Sequence, residues 1–418
     1  MNNTIFGSWQ RSIQSSVFAL VLTSIPASAG AQSIFTNQTS PSPNPHGNTL
    51  NAVAAVSAND VWAVGYKNDN NLNDSRTLVM HWNGASWQTV ASPNPASTPD
   101  CQNFNTGNVL SAVSATSTDD VWAVGFSFSC SALLVPMIQH WDGTSWKAVR
   151  SPKLRTNDNS ALTGVVAFAP NNVYAVGYQP ASNGAVLTLV EHWDGKSWKV
   201  MSSPNANHTG NVLAGISANA PTDIWAVGDQ VAPGVPVKTL AEHFDGVKWT
   251  LVPTPNVFPT GSSNQNVLTS VQAVSPKDVT AAGFVLDAGS QRLLTLIEHW
   301  DGTRWSIINS PNHGSAAGST NLLRGITAVS ATDLYAIGFF ADSTSFGEQQ
   351  TLVEHFDGHS WSVIPTPKKG LAQQLNGGFA LPGTQNVWGV GAFSTDGTDP
   401  ETGLLNVPKT LVIFSPIG

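Results

Sequence analysis

Six histidines invite a reading as metal ligands or general bases. His81, His140, His192, His243, His299 and His355 each open a His-Trp/Phe-Asp/Asn-Gly-x-x-Trp phrase. Identical placement in a repeated phrase sets them about one repeat apart, too far to share an ion whose bonds are near 2 Å. Each imidazole is therefore read as structural, bonded to an acceptor between strands, and the Asp that opens each Asp-x-Trp-Ala-Val-Gly strand is the candidate acceptor. The residues before them, Glu191, Glu242, Glu298 and Glu354, become Gln139 and Met80 in other copies. A role that tolerates Met is not acid catalysis in every repeat.

Chemistry specific to this chain must come from residues outside the repeat: His46, His208 and His313, with Arg76, Lys153, Arg155, Asp229, Arg292, Glu348, Lys368 and Lys369. A polysaccharide lyase needs a His or Tyr base and an Arg or Lys that neutralises a uronate carboxylate. His313 or His46 beside Arg292 or Arg324 is the set on offer, and no spacing brings its members together. Copper–radical chemistry needs a spare Tyr and Cys, whereas Tyr174 and Tyr335 fall on strands and the two cysteines are expected to pair. No phosphate loop, calcium loop, nucleophile elbow or zinc spacing is present, so no metal and no cofactor is expected.

Two repeated polar or aromatic sets have a binding reading beside a structural one. Asn48, Asn108, Asn211, Asn266 and Asn321 each stand two residues before a strand leucine. As a ring they would line a channel mouth with amides for water, a cation or a polar ligand, and they are the candidate ligand-binding residues. Asn also suits a turn that enters a strand. Trp87, Trp146, Trp198, Trp249, Trp305 and Trp361 would stack sugars if grooves open outward, and are core residues otherwise.

These residues are positioned by a repeat with a period near 50. In Thr188–Asn205, TLVEHWDGKSWKVMSSPN, one strand, an Asp-Gly turn and a second strand make a hairpin with Trp193 and Trp198 as a cross-strand pair. Ahead of each hairpin comes a strand ending in Gly (Asp60–Gly65, Asp120–Gly125, Asn172–Gly177, Asp223–Gly228, Asp278–Gly283, Asp333–Gly338, Asn386–Gly391). Ahead of that lies a strand with Leu and, two places on, a small residue, as in Leu50/Ala52, Leu213/Gly215 and Leu375/Gly377. Each copy thus offers four strands, A to D. The pattern predicts an all-β, seven-bladed β-propeller with four antiparallel strands per blade, small residues letting the inner strands converge on one axis. The last copy stops after its third strand, and Ser33–Pro41 aligns with a fourth, so the N-terminal strand is expected to close the ring. The A–B and C–D turns are short and alike. The B–C and D–A connections are long and varied, and would gather on one face, where binding residues usually sit.

Residues 1–31 carry Arg11, an apolar run from Val17 to Ile25 and small residues to Ala31, and are expected to be an export signal removed on maturation. The remainder, 32–418, is expected to be a single domain. The apolar run is too short to span a bilayer, so no membrane insertion is expected. The whole chain carries a net charge of −8, and loss of Arg11 leaves −9, which disfavours nucleic acid in the absence of a basic patch. Cys101 and Cys130 are the only cysteines; in a secreted or periplasmic chain a disulfide between them is expected, worth about 3–4 kcal/mol on the chain-entropy model.

The strand ending in Gly, the Trp/Phe-Asp-Gly-x-Ser-Trp hairpin and its Ser-Pro exit resemble kelch-type repeats, and most of all exported bacterial propellers with WAVG and HWDGxSW signatures. The resemblance covers Ser33 to Pro416 and implies a propeller, a fold that serves lectins, scaffolds, lyases and oxidases. The expected function is therefore a non-enzymatic, monomeric binding module for extracellular carbohydrate or a protein partner. The alternatives are a lyase at the channel mouth, with His46, His313 and Arg292 as candidate catalytic residues, or a scaffold of the cell envelope.

Overall fold

The computed structural model describes residues 35–69, 74–96, 106–128, 133–154, 159–258, 260–261, 263–314, 316–342, 349–381, 383–395 and 407–415. The expected signal segment 1–31, Cys101 and Cys130, Arg155 and Glu348 lie outside the described residues.

Strand A of successive repeats covers Asn48–Ser57, Gly107–Ser117, Ala161–Ala169, Gly210–Ala220, Gln265–Ser275, Thr320–Ser330 and Ala372–Ala380. Strand B covers Asp60–Asp69, Asp120–Phe128, Asn172–Pro180, Asp223–Val231, Asp278–Asp287, Asp333–Ala341 and Val387–Ser394. Strand C covers Asp74–Trp82, Leu134–Trp141, Val186–Trp193, Lys238–Phe244, Arg292–Trp300, Gln350–Phe356 and Lys409–Ser415. Strand D covers Trp87–Val90, Trp146–Val149, Trp198–Met201, Trp249–Leu251, Trp305–Ile308 and Trp361–Val363. Thr36–Asn37 lies antiparallel to Lys409–Ser415, with Thr36 opposite Phe414.

The expected seven separate four-stranded blades are corrected by the hydrogen bonding. The described strands form three eight-stranded sheets and one four-stranded sheet. Within each large sheet a parallel bridge joins a strand C to the next strand A, at Ser75–Gly107, Val186–Gly210 and Leu293–Thr320. Backbone bonds from the returning loop support these bridges, for example Val186 N–H to Thr209 O at 3.0 Å. A repeat pattern read from side chains counts strands and is blind to such backbone links.

Every strand A carries a bulge between its leucine and its small residue, at Asn51, Ser111, Thr163, Ala214, Thr269, Arg324 and Asn376. The bulge presses a carbonyl toward the Gly that ends the strand-B phrase. A Cβ on Gly228 would sit 2.0 Å from Val212 O, and one on Gly65 2.0 Å from Thr49 O. The small residues have the reason anticipated: a Cβ on Gly377 would meet Ala52 Cα at 2.8 Å across the axis-facing contact between the last and first repeats. The core is divided into clusters between neighbouring repeats. Trp388, Val390 and Val412 pack with Leu50, Val61 and Trp87, which joins the C-terminal repeat to the first.

Two outcomes test this account. Gly228→Ala must push two strands apart and is expected to lower the melting temperature by several degrees, on the order of 2 kcal/mol. Deleting Phe35–Pro41 removes a buried ring packed edge-on to Tyr335 and the Ser40–Thr410 hydroxyl bond. Differential scanning calorimetry should show a single transition moved down, and an unchanged melting temperature would count against the N-terminal strand as a structural member.

Candidate functional site

The repeated histidines are all spent in the scaffold. Nε2 lies 2.8 Å from Asp60 Oδ1 in His81, 2.7 Å from Asp120 in His140, 2.9 Å from Asn172 in His192 and 2.7 Å from Asp223 in His243. His299 and His355 meet Asp278 and Asp333 in the same way. Five of the imidazoles also pack on strand-B rings, with 4.3 Å between the centroids of Trp62 and His81, while His299 lies opposite Thr280. Among the described residues no three His, Cys, Asp or Glu side chains converge on a common point for a metal.

The preceding glutamates are fully buried, and Glu191, Glu242 and Glu354 face the Ser-Pro exit of the neighbouring repeat while Glu298 faces the Thr239 hydroxyl. Ser151 Oγ donates to Glu191 Oε1 at 2.8 Å and Ser203 Oγ to Glu242 Oε2 at 2.7 Å. Burial pushes the pKa of Glu191 up to about 7 and those of Glu242, Glu298 and Glu354 up to about 8, with the hydroxyl bonds pulling the other way. Strongly raised carboxyls often mark active sites, yet these four are inaccessible and repeat around the ring. They are interior acids whose burial favours the neutral form.

The five candidate asparagines do not offer their amides to a channel. All are 0–2% exposed. Asn211 accepts from the Ala206 N–H at 2.9 Å and donates to Asn207 O at 2.8 Å and Val186 O at 3.4 Å. Asn48 bonds the backbone of Asn44, Asn108 that of Ala96 and Ser75, Asn266 that of Val257 and Val237, and Asn321 that of His313 and Leu293. In the structure each of these amides, expected as ligand-binding, staples a D–A loop to the strands it connects. The outer tryptophans are likewise closed to sugars, with Trp87, Trp146, Trp198, Trp249, Trp305 and Trp361 only 4–8% exposed.

Of the lyase-type set, the structure brings His313 and Arg292 to one loop. His313 Nδ1 lies 3.0 Å from Asp342 Oδ1, and its ring stacks on Phe340 at 4.0 Å. Arg292 donates to Gly314 O and to Ser319 Oγ, both at 3.1 Å, so its guanidinium already has work in holding that loop. His46 sits apart, in the loop before the first strand A, where its carbonyl accepts from Asn68. No hydrogen bond or ion pair among the described residues joins His46 to either arginine.

The bulge residues are the feature that sequence reasoning missed. Their side chains line an axial cavity of about 260 Å³, into which all the inner strands face. Several bond across to the next inner strand: Asn51 Nδ2 to Leu110 O at 2.8 Å, Thr163 Oγ1 to Leu213 O at 2.7 Å, Thr269 Oγ1 to Leu323 O at 2.8 Å and Asn376 Nδ2 to Leu50 O at 2.8 Å. The signal was available, since the residue between Leu and the small residue is polar in six of the copies. A second cavity, of about 590 Å³, lies in the second repeat, lined by Pro95, Pro136, Met137, Val149, Pro152 and Leu154. There Pro136 occupies the place of a threonine that elsewhere ties strand C to the strand-D exit, as Thr188 does to Ser203 at 2.8 Å.

No family model and no curated protein matches the chain. Among solved structures, YCF48 bound to D1 peptide matches at 12% identity and a TM-score of 0.54, covering 93% of this chain and 98% of its own. A PL25 ulvan lyase bound to -[GlcA(1-4)Rha3S]- matches at 9% identity and 0.51, covering 91% and 94%. The fucose-specific lectin from Aleuria aurantia matches at 15% identity and 0.41, covering 78% and 97%. The chain is a β-propeller. Likeness at these identities establishes the fold and leaves the function to the residues of this chain.

The raised pKa values of the buried glutamates give an expected dependence of stability on pH. Their folded pKa values lie above the unfolded value, so the folded state holds the extra protons. The stability they contribute is complete below about pH 4.5 and is lost as pH rises through about 8. The melting temperature is expected to fall between pH 5 and pH 9. Glu298→Gln, which copies the Gln139 of the second repeat, should lessen that fall; an identical pH profile in the variant would show that Glu298 ionises freely.

Proposed function

We propose that this chain is an exported, kelch-like propeller that binds carbohydrate or a protein partner on its long-loop face without catalysing a reaction. The observation that carries the reading is the division of labour among polar residues. The repeated His, Glu and Asn side chains are consumed by the scaffold, and the residues left over are the non-repeated ones on the loops and at the channel mouth. Propellers of similar fold hold a peptide in one case and a saccharide in another, which supports a binding role in general. Export rests on residues 1–31, and the mature chain is expected to begin after Ala29 or Ala31, as intact-mass measurement of secreted protein would show.

A second reading has one observation in its favour. The His313–Asp342 pair orients an exposed imidazole, and Arg292 is anchored in the same loop, which is a base and a cation within one site. Screening the mature protein on a glycan and polysaccharide array, followed by assay of the supernatants for new reducing or unsaturated ends, separates the two. Retention without new ends is expected. New unsaturated ends that vanish in His313→Ala would replace the binding module with a lyase.

A further inference from the structure

Arg324 is the single charged side chain among the described residues that line the axial cavity; its companions there are Asn, Gln, Ser, Thr, Ala, Gly and apolar residues. It occupies a bulge position, where other repeats place Asn51, Thr163 or Thr269 to reach a neighbouring backbone carbonyl. Arg324 instead donates from Nη1 to the Asn376 side-chain oxygen and lies 5.1 Å over the Phe339 ring. It forms no ion pair among the described residues. Burial presses its pKa below the usual arginine value, with the Tyr66 phenol acting in the opposite direction. A guanidinium has five N–H donors, and a charge drawn out of water without an anion is costly. The staple alone needs only a hydroxyl or an amide.

The rest of the cavity offers the complementary chemistry. The hydroxyl of Thr163 lies between Leu213 O and Val176 O and that of Thr269 between Leu323 O and Ala282 O, so the one proton of each is committed to backbone, and Asn51 donates from its amide nitrogen. What the threonines have left to turn on a ligand is acceptor capacity, and Asn51 keeps its amide oxygen as an acceptor beside one remaining N–H. The site thus combines one cationic donor group with a ring of acceptors, which suits a carboxylate whose other substituents are hydroxyls. At about 30 Å³ per water, the cavity holds roughly eight waters, which fits one small acid and not a length of polymer.

We propose that the axial cavity is a binding site for the carboxylate of a single polyhydroxylated acid, with Arg324 engaging the carboxylate and Asn51, Thr163 and Thr269 accepting from its hydroxyls. The acid is a free sugar acid or the uronate at the end of a glycan chain. The site is distinct from any ligand held by the loops, and array binding on the loop face can fail or succeed independently of it.

Calorimetric titration of the mature protein with D-glucuronate, D-glucuronamide, D-glucose and acetate tests the site. Glucuronate is expected to bind, and the amide, glucose and acetate each to bind at least about tenfold more weakly, because each lacks either the charge or the hydroxyls. Arg324→Gln should abolish glucuronate binding, and Arg324→Lys should keep a part of it. Binding of the amide as tight as that of the acid, or glucuronate binding that survives Arg324→Gln, overturns the proposal. So does the absence of both heat and a rise in melting temperature with glucuronate. Should Arg324→Gln fail to fold, the comparison of acid with amide on the unaltered protein decides. A glucuronate-terminated oligosaccharide that binds as well as the free acid assigns the glycan end as the source, and one that fails to bind assigns the free acid.

Discussion

A carbonyl that points at a missing Cβ governs this molecule. In each inner strand one extra residue is pushed out as a bulge, and the preceding carbonyl is driven to within 2.0 Å of where a side chain would begin on Gly65, Gly125, Gly177, Gly228, Gly283 or Gly391. The glycine costs strand stability by its conformational freedom, yet any other residue would force the two inner strands apart. The bulge increases local twist and turns one side chain per repeat toward the axis. Through Asn51, Thr163, Thr269 and Asn376 that side chain reaches the next repeat, and the ring of bonds includes the contact between the last repeat and the first.

Around this inner ring the remaining polar groups serve packing. The His–Asp pairs tie strand C to the start of strand B, Glu191 and Glu242 meet the exit hydroxyls of the neighbouring repeat, and the asparagines hold the long loops. Large indoles fill the wedges between repeats: Trp62 touches both Trp141 and Trp146, with centroids 4.9 and 5.5 Å away. Each interaction is worth little alone, and repetition makes the sum substantial. A scaffold stabilised in this distributed way can lose one staple and stand. In the second repeat Pro136 does away with a hydroxyl tie, and a cavity lies there.

Much of the strand pattern was legible because its causes are local. Alternating apolar residues, Asp-Gly turns and the Gly and Leu positions each follow from the geometry of one hairpin, and they recur with a period that makes them conspicuous. What lay beyond the sequence was set by relations between repeats. The parallel bridges that merge strands into eight-stranded sheets are backbone bonds with no side-chain signature. The asparagines were readable as turn formers or as channel amides, and only their burial and their bonds to the loop backbone decide the matter. The tryptophans at the start of strand D stand at an edge in the single hairpin and become core once the next repeat covers them. That Arg292 bonds the loop carrying His313 depends on where that loop lands, which no spacing encodes.

Arg324 shows how a repeat scaffold acquires a feature of its own without a change of fold. Its position tolerates Asn, Ser, Thr and Ala in other copies, because the neighbouring bulges supply enough of the ring. Replacing a short staple by a long cation there exchanges one hydrogen bond to a carbonyl for a bond to Asn376 and a cation–π contact with Phe339, each worth about 0.5–2 kcal/mol. Those contacts hold the guanidinium in place and leave its charge without a counter-ion among the described residues. In a chain of net charge −8 every surface carboxylate favours a bound cation, and the axial cavity is set apart by the opposite preference. The charge sits where all the repeats meet, in a small cavity walled by protein, so an anion placed there interacts through a medium of lower dielectric than at the loop surface. The same bulge that lets the inner strands approach one another therefore also places a single charge at the axis.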